Sequence, residues 1–269
     1  MGGRDVIGLI AGEGDLPVLL ARAAQAAGHR VLAITVEGDG AALGRVADES
    51  HRAGFGEIRR ILELLAAGGA RRVLFAGTVS RARLVGEGDE AFRTLAGASG
   101  ERGDQTVFEV GLGLLERAGI AVASPLEFLG HLRVEEGVLT RSAPTEAEQA
   151  DVQLGMRVAR TAAALEFGQT VVLKAGVVLA VEGAEGTDET IRRGGGFVRG
   201  VVVVKTARPR QDERFDLPAI GPRTLAAMAD AGGRVLAVEA ERTLLLDREE
   251  SLRLADRSGI AILGVRIPA

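Results

Sequence analysis

The feature that most constrains this chain is a repeating alternation. Short apolar runs, several of them ended by glycine, are each followed by a stretch with helical spacing of apolar residues. Val6–Ala11 (VIGLIA) ends at Gly12, and helical spacing follows over Val18–Ala27, after Pro17 and before Gly28. Arg30–Thr35 (RVLAIT), Arg72–Ala76 (RVLFA) and Ile120–Ala123 read as further strands, with helices over Glu57–Ala67 and Thr106–Ala118. Uniformly apolar strands separated by amphipathic helices belong to a mainly parallel sheet with helices on both faces. Residues 1–130 are therefore expected to form an α/β, Rossmann-like parallel-sheet domain.

The texture then changes. Residues 131–144 hold Gly137, Pro144 and mixed charges, and read as a linker. Thr145, with Glu148 three residues on, has capping-box spacing and opens a helix. Beyond it, Thr170–Lys174, Val177–Val181 and Gly200–Lys205 are strand-like, the last with four consecutive valines. Helical patterns cover Thr224–Ala231 and Glu249–Arg257, and strand patterns cover Arg234–Glu239, Leu244–Leu246 and Ile260–Val265. A C-terminal mixed α/β domain over residues 145–269 is the expectation.

Composition narrows the chemistry. The 269 residues include no cysteine, which excludes disulfides, thiolate catalysis and cysteine-ligated zinc. Three scattered histidines, His29, His51 and His131, argue against a histidine metal cluster. A net charge of −4 lacks the basic footprint of a nucleic-acid binder. Of 33 basic residues only Lys174 and Lys205 are lysine, which marks them either for chemistry or as ordinary surface lysines. Glu13 and Asp15 interrupt the apolar N-terminus, unlike a signal peptide. No apolar run reaches the ~18 residues of a membrane span, so a cytoplasmic location is expected. Two-fold dimers are the commonest soluble assembly, which makes a homodimer the expectation.

Several polar segments are candidates for a site. Gly12-Glu13-Gly14-Asp15-Leu16-Pro17 joins a strand to a helix, where glycines allow an anion to approach the helix N-terminus. Pro17 replaces the third glycine of G-x-G-x-x-G, and two acids sit in the turn, so a plain strand-to-helix turn is favoured over a dinucleotide site. Thr78, Ser80 and Arg81 lie just past the third strand, where ligands of open α/β sheets bind; they could equally be capping hydroxyls in a loop. Asp104, before a helix, is either a polar contact or a cap.

Two motifs of the second half are denser. Glu182–Asp188 (EGAEGTD) offers carboxylates for Mg2+ and a helix N-terminus for phosphate; alternatively Thr187 or Asp188 caps the helix and Glu185 is solvated. In Lys205–Pro218, Lys205, Arg208, Arg210 and Arg214 are able to neutralise phosphates, or the run is a solvated loop. Asp216, between Phe215 and Leu217, is oddly placed for a merely solvated acid.

Taken together, GLIAGEGDLP (Gly8–Pro17), FAGTVSR (Phe75–Arg81), EGTD (Glu185–Asp188) and QDERFDLPAIG (Gln211–Gly221) resemble, in this order and over nearly the whole chain, the metal-dependent UDP-2,3-diacylglucosamine pyrophosphohydrolases of one lipid A pathway branch. The resemblance implies a two-domain enzyme. It would split a lipid-linked UDP-sugar into UMP and 2,3-diacylglucosamine 1-phosphate (lipid X), with Mg2+ or another divalent cation as cofactor. It implies the catalytic aspartate at Asp216, also a metal contact, and phosphate or metal contacts at Thr187 and Asp188. With the motif readings above, the substrate-binding candidates are Gly12, Gly14, Thr78, Ser80, Asp104, Glu185, Gly186, Thr187, Asp188, Lys205, Arg210 and Gln211. The chain departs from the family in reading Gln105 where an acid is usual, and Ala82 where VSRP has proline. An amphiphilic substrate makes peripheral contact with the inner membrane an expectation. A rival reading is a nucleotide-sugar or lipid-binding protein that has lost turnover. An NAD-type oxidoreductase is disfavoured by the broken glycine spacing and the absence of tyrosine.

Overall fold

The computed structural model describes residues 5–54, 56–79, 104–209 and 212–267, with backbone alone over 104–110. The chain groups into two compact units, Met1–Gly130 with Asp212–Asp216, and His131–Gln211 with Leu217–Ala269.

The first unit is built on five parallel strands: β1 (Val6–Ala11), β2 (Arg30–Thr35), β3 (Glu49–Arg52), β4 (Arg72–Ala76) and β5 (Ala121–Val122), in the order β3-β2-β1-β4-β5. The order reverses at β1, so β2 and β4 flank it on opposite sides. In open α/β sheets such a reversal opens a crevice at the carboxyl ends of the strands. Ile7, Leu9, Leu32, Ile34 and Val73 are fully buried, which is what a sheet covered on both faces requires. Pro17 lies in the first turn of α1 (Leu16–Ala26), where its missing N–H is not needed. Gly28, at φ +94, follows the end of α1. The short helix α2 (Ala41–Gly44), α3 (Ile58–Ala67), α4 (Asp104–Arg117) and the short α5 (Leu126–Leu129) complete the unit's helices among the described residues. β3 (ESHR) has no apolar run and is invisible to a hydrophobic pattern. Among the described residues it is an edge strand paired to β2 alone, and an edge tolerates polar side chains.

The second unit carries a six-stranded mixed sheet. Its strands are β6 (Gly137–Val138), β7 (Thr170–Lys174), β8 (Val177–Val181), β9 (Val202–Lys205), β11 (Val235–Glu239) and β13 (Ala261–Val265), ordered β6-β13-β11-β9-β7-β8. β9, β11 and β13 are parallel, while β6, β7 and β8 run antiparallel to their neighbours. A separate parallel pair joins β10 (Ala219–Ile220) to β12 (Leu244–Leu245). Residues 131–144 belong to this unit and contribute β6.

Side-chain alternation along the strands explains the layers. Val171, Leu173, Val202 and Val204 pack with Val152, Met156 and Ala159 of α6 (Glu146–Ala164). Val172 and Val203 pack on the other face with Ile191 of α7 (Thr187–Gly195), Leu225 and Met228 of α8 (Pro222–Asp230) and Ala255 of α9 (Arg248–Arg257). The valine run thus serves two cores at once. Two helices approach the sheet at glycine. A Cβ on Gly155 of α6 would fall 2.5 Å from Val204 Cγ2, and one on Gly194 of α7 would fall 2.5 Å from Val172 Cγ1. The capping box forms as the spacing predicts: Thr145 Oγ1 accepts from Glu148 N–H at 3.3 Å and Glu148 Oε2 accepts from Thr145 N–H at 2.8 Å. Among the described residues no helix is long and apolar enough to cross a membrane.

Candidate functional site

In the second unit the ends of β8 and β9, the start of β7 and the first turn of α7 converge on one hydroxyl. Thr170 is the register partner of Lys205, and Glu182 N–H donates to the Thr170 carbonyl at 2.9 Å. Lys205 Nζ donates to Thr187 Oγ1 at 3.0 Å. Thr187 Oγ1 donates to Glu182 Oε1 at 3.3 Å and lies 3.2 Å from Thr170 Oγ1. A hydroxyl has one proton and two lone pairs, so a single assignment satisfies it. Its proton goes to Glu182, and its lone pairs receive Lys205 and Thr170. The second Glu182 oxygen accepts from Gln169 N–H at 3.1 Å.

Lys205 is only 8% exposed. Burying an ammonium is costly unless it is paired. Its one hydrogen-bond partner among the described residues is the neutral Thr187 hydroxyl. Two of its three N–H donors remain, beside the N-terminus of α7, whose first backbone N–H groups have no partner within the helix. A cation and a helix N-terminus together favour an anion with several acceptor oxygens, such as a phosphoryl group.

The EGTD segment has a role other than capping. The residue preceding α7 is Gly186, at φ +83, with no side-chain cap; Thr187 is the first helical residue and turns its hydroxyl to Lys205. Asp188 and Glu189 lie in the first turn. Glu185 is bonded rather than simply solvated: its Oε1 accepts from Thr190 Oγ1 at 3.2 Å and pairs with the Arg193 guanidinium. Its own backbone N–H, and then Arg193, hold its carboxyl below the usual range.

The two lysines part company. Lys174 Nζ donates to the Gly200 carbonyl at 2.8 Å and ties the β7–β8 turn to the segment before β9, a structural contact. Lys205 stands at the opposite end of β9, where Thr187 and Glu182 gather. The Arg208 carbonyl accepts from Arg242 Nη2 at 3.1 Å, and Glu239, which accepts from Ala207 N–H at 2.9 Å, braces the chain after Lys205.

In the first unit, Gly12 and Thr78 face each other across the carboxyl ends of β1 and β4. Glu13 and Thr78 exchange two backbone hydrogen bonds, each of 2.9 Å. A Cβ on Gly12 would lie 2.4 Å from the Thr78 carbonyl oxygen. Gly14, at φ +104, has open space around it, and Thr78 is exposed. Ser80, Arg81, Arg210 and Gln211 lie outside the described residues, as does the side chain of Asp104, whose backbone begins α4.

Asp216 is half-buried in the segment that groups with the first unit. Its N–H donates to the Asp212 carbonyl at 3.2 Å. Arg214 clamps the Asp212 carboxylate, with Nη2 to Oδ2 at 2.7 Å and Nε to Oδ1 at 3.0 Å. The clamp lowers the Asp212 pKa and raises that of Arg214, so both stay charged. Among the described residues, no three carboxylates or histidines gather closely enough to share an ion. Mg2+ is commonly held by one or two carboxylates together with substrate phosphates, so the absence of such a group does not bear on its use.

Sequence reasoning passed over Thr170 and Gln169, since strand pairing alone brings them to the motif. The first acid of the EGAEGTD run, Glu182, was the available signal for the Thr187 partner.

Comparison with known proteins covers both units. The LpxI N-terminal domain family model matches residues 6–132, and the LpxI C-terminal domain model matches residues 135–263. The UDP-2,3-diacylglucosamine pyrophosphatase LpxI of Caulobacter vibrioides is 33% identical over 279 residues, spanning 96% of this chain and 97% of that protein. Among solved structures, N5-carboxyaminoimidazole ribonucleotide synthetase from Thermotoga maritima overlaps 67% of this chain at 19% identity and a TM-score of 0.27. The biotin carboxylase domain of 2-oxoglutarate carboxylase from Hydrogenobacter thermophilus overlaps 73% at 16% identity and a TM-score of 0.28. This chain spans 42% and 37% of the lengths of those two structures, and likeness so low carries no argument.

Proposed function

The chain belongs to the LpxI family along both of its halves, and from that premise we propose that it hydrolyses the pyrophosphate of UDP-2,3-diacylglucosamine, releasing UMP and 2,3-diacylglucosamine 1-phosphate. The observation that carries the reading is the buried Lys205 ammonium, its spare donors set beside the first turn of α7 in the EGTD segment. Cleaving a pyrophosphate builds negative charge on the leaving phosphate, and donors fixed in advance in a poorly hydrated place stabilise it most. Lys205 and the first N–H groups of α7 take that role. Thr187 holds Lys205 in position, because its hydroxyl is already fully engaged.

Asp216 is the catalytic aspartate on the strength of the QDERFDLPAIG motif. It would orient the attacking water or accept its proton. Asp188 in the second unit and Asp216 in the first are each proposed as a carboxylate contact for a divalent cation, which when bound polarises a phosphoryl oxygen and makes bound water more acidic. Acyl chains on the substrate make peripheral membrane contact part of the proposal.

The deciding assay is UMP release from UDP-2,3-diacylglucosamine, with Mg2+ and with chelator, for the native chain and Asp216→Ala. Metal-dependent release that disappears in a folded Asp216→Ala protein supports the assignment. No release from folded native protein would leave a binding protein on the same fold, and a fully active Asp216→Ala would remove the role of Asp216.

A further inference from the structure

The segment Asp212–Asp216 follows second-unit residues in the chain yet groups with the first unit. Its contacts form a connected series. The Asp212 carbonyl accepts from the N–H groups of both Phe215, at 3.1 Å, and Asp216, at 3.2 Å, so the segment is a tight turn. The Asp212 carboxylate accepts from Arg214, backbone and guanidinium alike. The guanidinium carbon stands 5.4 Å from the centre of the Phe215 ring, within cation–π range. That ring meets Phe75 edge to face, with centroids 5.3 Å apart and planes at 71°. Phe75 is the fourth residue of β4, partly buried against the first-unit core beside Val79.

We infer that Phe215 is a positioning residue: its ring, seated on Phe75, fixes the neighbouring Asp216 to the sheet of the first unit. The inference rests on the reading of Asp216 as catalytic. Adjacent Cα atoms are held about 3.8 Å apart by a planar peptide, so a ring pinned at 215 limits the travel of 216. An aromatic pair suits the task, since rigid rings with a preferred edge-to-face geometry define an orientation as well as an attraction. Phe75 itself sits on a strand, which gives a firmer base than a loop. A misplacement of about 1 Å at a reacting group costs as much as 10²-fold in rate, so the contact matters to turnover far more than to folding.

The test uses the full chain and the UMP-release assay on Phe215→Leu, Phe75→Leu, the double variant and Phe215→Tyr. The expected result is a fall in kcat of roughly 10- to 100-fold for either Leu variant, with KM within about twofold. The double variant should be no slower than the slower single one, because both remove the same contact. Phe215→Tyr, which keeps the ring, should restore most of the rate. Amide hydrogen exchange at Phe215 and Asp216 should quicken in Phe75→Leu. Unchanged kcat in the Leu variants, losses that multiply in the double variant, or unchanged exchange would each overturn the inference. Asp216→Asn at native turnover would instead end the catalytic reading, and exchange at residues 215 and 216 would still decide whether Phe75 anchors the segment.

Discussion

Two strand-to-helix junctions, one in each unit, begin from similar chemistry and end differently. Between β1 and α1 the chain reads Gly12-Glu13-Gly14-Asp15; between β8 and α7 it reads Glu182-Gly183-Ala184-Glu185-Gly186. Both combine glycines, acids and the N-terminus of a helix. At the first, backbone fills the space: Glu13 and Thr78 pair as a bridge and Gly12 lies against the Thr78 peptide. At the second, side chains line the junction, and the buried Lys205 ammonium arrives from β9. The two helix N-termini therefore differ in what accompanies them: a buried cation at the second, a backbone bridge at the first.

Substitutions at the two junctions should separate these roles. The largest effect is expected from Lys205→Met, which removes the cation while keeping most of the volume. Turnover should fall about 10²- to 10³-fold, the usual loss on deleting a preorganised donor. Thermal stability should hold or rise, since a buried ammonium with no carboxylate partner among the described residues goes with it. A Lys205→Met protein with native kcat/KM would remove the contrast between the junctions.

At the first junction the effect should be on folding. Gly12→Ala drives a Cβ into the Thr78 peptide and should cost about 3 kcal/mol in urea unfolding of the first unit. Gly14→Ala, with open space but φ +104, should cost only backbone strain, about 1–2 kcal/mol. Equal losses at the two glycines would mean that the Thr78 contact is not what Gly12 is for.

Thr187→Val comes next. It leaves Lys205 without its hydroxyl partner and Glu182 Oε1 without the Thr187 donor, at about 2 kcal/mol of stability and a matching fall in kcat. Thr187→Ser should recover most of both. A Val variant indistinguishable from native in melting and turnover would show that Lys205 is held by other means.

The smallest effect is a pH dependence. The folded pKa of Glu185 is depressed by its own backbone N–H and by Arg193. Its contribution is therefore fully present above the ordinary glutamate pKa and lost as pH falls through the depressed folded value. Glu185→Gln should flatten that part of the acid side of a urea-midpoint profile for the second unit. An unchanged slope would mean the Arg193 pair contributes nothing measurable, a common fate of exposed ion pairs.

Much of the architecture was legible from hydrophobic period. The strands at Val6, Arg30, Arg72 and Thr170 begin where the apolar runs begin, because a strand buried on both faces needs apolar residues throughout. β3 was not legible, since an edge strand needs only a neighbour. The EGTD segment was visible as a motif, but its working partner was not. The spacing between Thr187 and Lys205 has no local meaning until β7, β8 and β9 pair and α7 packs on them through Gly194.

Sequence by itself therefore determined the α/β class, the capping box at Thr145 and the family, all of which depend on local period and local motif. Tertiary structure alone decided that Lys205, and not Lys174, is the buried cation beside α7, and that Gly12 abuts Thr78. It also decided that the residues around Asp216 group with the first unit. These outcomes depend on pairing and packing between segments far apart in the chain, and a hydrogen bond or a ring contact exists only once both partners have been brought within reach.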